Sequence, residues 1–151
     1  MRDAVLALRL DDGLLRDARD QARCIDEALG ELYRLIHATR AFEVKRARRF
    51  RSGELPEWVL RHGGVLHSSA SELQKTFAVL REAVLQRAPI EGSLATQVLS
   101  ALGFFAAKLD NLVETWRLVL AEDVEGEAPV ARWIELHDGT ASSSDYLVCA
   151  S

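Results

Sequence analysis

Apolar residues recurring in alternating steps of three and four place a continuous stripe along one side of a helix, and three such stripes occur in this chain. The first runs Leu15, Ala18, Ala22, Ile25, Leu29, Leu32, Ile36, Thr39, and the second Leu66, Ala70, Leu73, Phe77, Leu80, Val84. The third runs Ala95, Val98, Leu102, Phe105, Leu109, Leu112, Trp116, Val119. Stripes of this step pair at a shallow crossing angle of about 20°. The fold class they predict is mainly α: an elongated antiparallel bundle of three long helices. Asp11 or Asp12 can cap the first helix, and Ser52-Gly53 and Pro56 can stop it. The prediction is a rod over 14–51, from Leu14 to Phe50 about 55 Å long at about 1.5 Å per residue. A second rod, over 66–88, starts at the serine cluster Ser68, Ser69 and Ser71 and ends before Pro89. A third, over 92–121, dissolves into the acidic stretch Glu122 to Glu127. Between the first two, Leu55 to Leu60 predicts a short helix and Gly63-Gly64 a turn. Short connections favour antiparallel neighbours, with Ile25, Leu32, Phe77, Leu80, Phe105, Leu109 and Leu112 in the core.

The last segment changes period. Val130 to His137 and Asp145 to Ala150 are β-type runs separated by Asp138-Gly139-Thr140-Ala141-Ser142-Ser143-Ser144, which predicts a C-terminal β-hairpin over 130–150. Its second arm, Tyr146-Leu147-Val148-Cys149, is apolar on both faces and needs cover. Near the N-terminus, Leu6, Leu8 and Leu10 alternate through Ala4 to Leu10, which supplies either a third strand or the first turn of a helix. As a strand it would bring both termini into one small sheet at the foot of the bundle, with Trp133 and Tyr146 packed there. An inserted domain needs that closure.

Composition limits the chemistry. A chain of 151 residues with 48% hydrophobic and 28% charged residues builds one domain, here taken as residues 1–151. A net charge of −4 gives no blanket attraction to nucleic acid or anionic membrane, so binding of that kind requires a local patch. The sequence has no phosphate loop, dinucleotide-binding turn, H-E-x-x-H or nucleophile elbow, and no autonomous active site is expected. Of the histidines His37, His62, His67 and His137, only His62 and His67 are close, flanking the predicted Gly-Gly turn. Acid pairs such as Asp26-Glu27 and Glu122-Asp123 fall on polar faces or in a loop. Glu31, Glu91, Asp110 and Glu114 lack the Glu-x-x-His spacing of a di-iron bundle. Cys24 and Cys149 read as free thiols. No signal peptide and no unbroken apolar run of spanning length appears. The expectation is a cytoplasmic monomer with no membrane contact and no metal or cofactor of its own.

One local signal remains. From Arg40 to Arg51 the chain reads Arg-Ala-Phe-Glu-Val-Lys-Arg-Ala-Arg-Arg-Phe-Arg, with Arg40, Lys45, Arg46, Arg48, Arg49 and Arg51 basic against the single acid Glu43. On a helix Lys45, Arg48 and Arg49 project together beside Arg46, with Phe42 and Phe50 interleaved. Guanidinium groups engage phosphates and aromatic rings stack on unpaired bases, so the stretch suits single-stranded DNA. Equally, cations at a helix C-terminus match its dipole, with Asp11, Asp12, Asp17 and Asp20 complementing the other end.

Pro129-Val130-Ala131-Arg132-Trp133-Ile134-Glu135-Leu136, followed by Asp145-Tyr146-Leu147-Val148-Cys149-Ala150-Ser151, resembles a stretch of DinG-type, XPD-like superfamily 2 DNA helicases. In that family a helical insertion between motifs II and III, the arch domain, ends in a strand with an Arg-Trp-aliphatic-Glu pattern. A Leu-Val-Cys-Ala-Ser strand then returns to the motor. The resemblance implies an ATP-driven motor for DNA transactions such as repair, unwinding 5′ to 3′. It also implies ATP, magnesium and a 4Fe–4S cluster in the parent protein, and an arch that guides single-stranded DNA beside the rest of the helicase chain. The motor motifs and the cluster cysteines are missing here, so no catalytic residue transfers. The chain then reads as an excised arch, with Met1 an added start and Ser151 a cut before the motor resumes. The alternative is a free-standing helical adaptor that presents a groove to a protein partner.

Overall fold

The computed structural model describes residues 11–39, 47–51, 53–87, 92–138 and 144–151. Helix α1 covers Asp12–Ala38. Asp11 caps it, its carboxylate accepting from the backbone N–H of Gly13 at 2.7 Å and of Leu14 at 3.0 Å. It ends at Thr39, whose hydroxyl donates to the Ile36 carbonyl at 2.9 Å and whose N–H donates to Leu35. The rod predicted to Arg51 therefore stops early, and Ala47–Phe50 forms a strand, β1. The reason is visible in the spacing. The apolar stripe itself ends at Thr39; the positions it would take next, Glu43 and Arg46, are charged.

Helix α2 spans Glu57–Arg87 without a break. The separate short helix at 55–60 and the turn at Gly63-Gly64 do not form. Gly63 lies mid-helix because the Trp116 ring sits on its backbone: a Cβ there would fall 2.5 Å from Trp116 Cε3. A helical glycine costs about 1 kcal/mol relative to alanine. Close seating of a tryptophan exposed by only 2% offsets that cost. Helix α3 spans Gly92–Leu120 and lays Ala95, Val98, Leu109, Trp116 and Val119 into the core.

The three helices run antiparallel. Leu14 and Leu15, at the start of α1, share a cluster with Leu80 and Val84 near the end of α2 and Ala95 and Val98 at the start of α3. At the opposite end Ile36, Val59, Leu66, Trp116 and Val119 pack with Phe50 and Ile134. The principal helix contacts are α1 with α2 and α2 with α3. Since α2 covers α3 from one side, Phe105, expected in the core, is 44% exposed, beside Phe104 at 61%. Leu32, Leu80 and Leu109 are buried, while Ile25, Phe77 and Leu112 are half-buried against the clusters.

The predicted hairpin forms as β2 (Arg132–Asp138) and β3 (Ser144–Ala150). The antiparallel sheet has the order β1-β2-β3. Its third strand thus comes from the basic stretch; the candidate strand at Ala4 to Leu10 lies outside the described residues. Ala131 and Ser151 extend the ladder by exchanging backbone hydrogen bonds of 2.9 and 3.0 Å. The loop before β2 turns at Gly126, whose φ of 89° is left-handed and suits glycine.

Among the described residues one helix, α3, is long and apolar enough to cross a membrane, judged by length and composition alone. An 18-residue stretch within it has a mean hydropathy of 1.2. Charged residues such as Lys108 interrupt its apolar run, although the mean stays high.

Candidate nucleic-acid interface

Cross-strand register decides what each side chain of the sheet can do. Phe50 stands opposite Arg132, and Arg49 opposite Trp133. Successive strand residues point to opposite faces. Phe50, Arg132 and Ile134 are buried, at 7%, 2% and 3% exposure, which marks one face as inner. Arg49, Trp133 and Cys149, aligned across the three strands, therefore lie on the outer face.

The described part of the basic stretch, 47–51, is consequently arranged differently from the helical patch predicted for it. Arg48 and Arg49 alternate, so they do not share a face. Arg48 curls over the Phe50 ring, its guanidinium carbon 5.1 Å from the centroid, a cation–π contact at the sheet edge. Arg49 is exposed on the outer face; Arg51, one residue beyond β1, is exposed, and its backbone N–H donates to the Glu54 carboxylate at 3.0 Å. None of these three arginines forms an ion pair with a described residue. Because 47–50 is a strand, these cations do not terminate a helix, and the dipole explanation loses its premise for them. Arg40, Lys45 and Arg46 lie outside the described residues, as do Phe42 and Glu43.

Arg132 has a different task. Its Nε donates to the Val119 carbonyl at 3.1 Å, and its Nη1 to Asp123 Oδ1 at 2.9 Å and to the Val130 carbonyl at 3.1 Å. Its Nη2 donates to the Ala121 carbonyl. One guanidinium thus closes the C-terminus of α3 and ties it to β2. Asp123, assigned from sequence to a loop, also accepts from the Val130 N–H at 3.3 Å and is this arginine's counter-ion. The sequence offers one faint signal for it: an arginine opening a strand shortly after a helix end, with an acid in between.

His62 and His67 lie along α2, and His37 meets the Tyr33 ring edge-on at 4.4 Å. Among the described residues, no three His, Cys, Asp or Glu side chains gather as a metal site. Hydrogen bonding from Arg34 and its charge hold the Glu31 carboxyl below its usual range, and Arg117 does the same for Glu114. Both stay ionised in exposed helical pairs. Asp110 accepts from Gln74 at 2.6 Å. Cys24 and Cys149 are free thiols, and burial, with a smaller contribution from Glu135, pushes Cys149 up. A 4Fe–4S cluster takes four thiolates. Two cysteines on separate elements do not fit it. A groove of about 420 Å³ runs between α1 and α3, lined by Leu29, Tyr33, Lys108, Asn111 and Thr115 and closed by Val148 of β3.

Fold and site together define a helical module with a small sheet at its foot and a cationic strand at the sheet's edge. No family model matches the chain. Over 106 residues it is 26% identical to ATP-dependent DNA helicase DinG of Photobacterium profundum, a match covering 68% of this chain and 15% of that protein. The chain is therefore similar to a region of a DinG helicase and spans a small part of that protein's length.

Proposed function

We propose that this chain is an accessory, arch-like module of an ATP-dependent DNA helicase, and that it holds single-stranded DNA along β1 through Arg49 and Arg51. Similarity to a DinG helicase over 68% of the chain carries the reading, since it supplies a context in which an exposed cationic edge has a ligand. The absence of a phosphate loop from the sequence agrees with an accessory role, the motor belonging to the parent protein. Each cation that displaces a counterion from single-stranded DNA lowers the slope of log affinity against log salt by roughly 0.7. A module with a few such contacts binds weakly and loses its grip as salt rises.

Fluorescence anisotropy of a labelled single-stranded oligonucleotide tests this at low salt. The wild-type chain should bind and release with added salt, and Arg49→Glu with Arg51→Glu should abolish binding while leaving helix content intact. Absence of salt-dependent binding would overturn the DNA-holding role. The coding sequence around this segment tests the arch placement separately: DEAH-like residues upstream and Ser-Ala-Thr downstream support it.

One observation favours a second reading, a protein adaptor. Leu29 and Tyr33, which border the groove between α1 and α3, are 42% and 40% exposed, an apolar lining suited to a peptide from a partner. Pull-down of a defined partner that is lost on Tyr33→Asp would favour it over DNA holding.

A further inference from the structure

We infer that Trp133 is a base-stacking platform, so that a nucleotide whose phosphates lie along β1 turns its base inward over the outer face of the sheet. The inference rests on the proposed binding of single-stranded DNA and adds to it a residue, a face and a mode of contact. Trp133 stands opposite Arg49 in the ladder, flanked by the inner-face residues Arg132 and Ile134, which turns its indole outward. It is half-buried and, among the described residues, belongs to none of the three apolar clusters that hold the bundle together. Arg49 faces it from β1, the exposed Arg51 follows just beyond the end of that strand, and Glu135 lies two residues further along β2 on the same face as Trp133. That charge arrangement orients the strand. Phosphates are drawn to the arginine edge and repelled from Glu135, which leaves the base as the part of the nucleotide that reaches the indole. Base–aromatic stacking tolerates any sequence, because every base has a π-face.

The tryptophans themselves provide the readout. Trp116 is buried at 2% exposure and Trp58 packs against the core, so Trp133 is the indole on the outer face. Titrating the wild-type chain with oligo(dT) at low salt should quench tryptophan fluorescence, and a matched chain of abasic sites should bind without that quench. Trp133→Ala should weaken oligo(dT) binding about tenfold, within the range for one stacked base, while the salt slope stays at its wild-type value. Trp133→Phe should retain most of the affinity and lose the quench. If the alanine variant does not fold, the comparison of oligo(dT) with the abasic chain on the wild-type protein still decides. Salt-dependent binding with equal quench by both ligands, or with none, would overturn the platform and leave the DNA-holding role standing. Failure of the wild type to bind at all would overturn both.

Discussion

The two faces of the small sheet carry the same pair of residue types in opposite roles. On the inner face Phe50 pairs with Arg132, and both are buried; one step along, Arg49 pairs with Trp133, facing outward. Inside, the arginine commits its donors to the Val119, Ala121 and Val130 carbonyls and to Asp123. Outside, Arg49 forms no ion pair with a described residue. Register alone, a shift of one residue, separates an arginine that holds the fold from one available to a ligand.

The largest effect should come from breaking the inner pair. Arg132→Met removes the guanidinium that pairs with Asp123 and donates to the carbonyls at the end of α3, and removing one partner of a buried ion pair costs about 3–5 kcal/mol. Urea unfolding should show the midpoint fall with little change in slope. A next, smaller effect probes the ground beneath the inner face. Gly63→Ala pushes a methyl into the Trp116 ring and should destabilise by about 1–3 kcal/mol. Gly64→Ala, where a Cβ meets nothing within 4 Å, should stabilise by about 0.5–1 kcal/mol through helix propensity. Thermal melts of the two variants should therefore shift in opposite directions. At the far end of the bundle, Asp11→Ala removes a cap and should cost about 1 kcal/mol, detectable in the same melts and without effect on the sheet. Smallest is the outer pair: Arg49→Met should change stability by no more than about 0.5 kcal/mol in urea.

Much of this is legible in the sequence, and the limits have physical causes. The three stripes reveal the helices because a core-facing helix cannot hide its period. The hairpin is legible from the change of period at Val130. The end of α1 is not, because the basic stretch contains no stripe and its buried side chain, Phe50, is fixed by a strand arriving from more than eighty residues later. Gly63 reads as a turn because local propensity knows nothing of Trp116, which settles on it from another helix. The site shows the same division. Charge alone picks out Arg48, Arg49 and Arg51 as cations, but which face each occupies, and that Arg49 adjoins Trp133, depends on register.

Central to the account is that the exposed Arg49 and Arg51 are available to neutralise phosphates while the buried Arg132 is not. The salt dependence of oligonucleotide affinity measures this most directly, with the wild type compared with a chain carrying both Arg49→Met and Arg51→Met. If the two cations each engage a phosphate, the slope of log affinity against log salt should become shallower by about 1.4, from roughly 0.7 per contact, with the urea midpoint unchanged. A slope equal to that of the wild type would contradict the account.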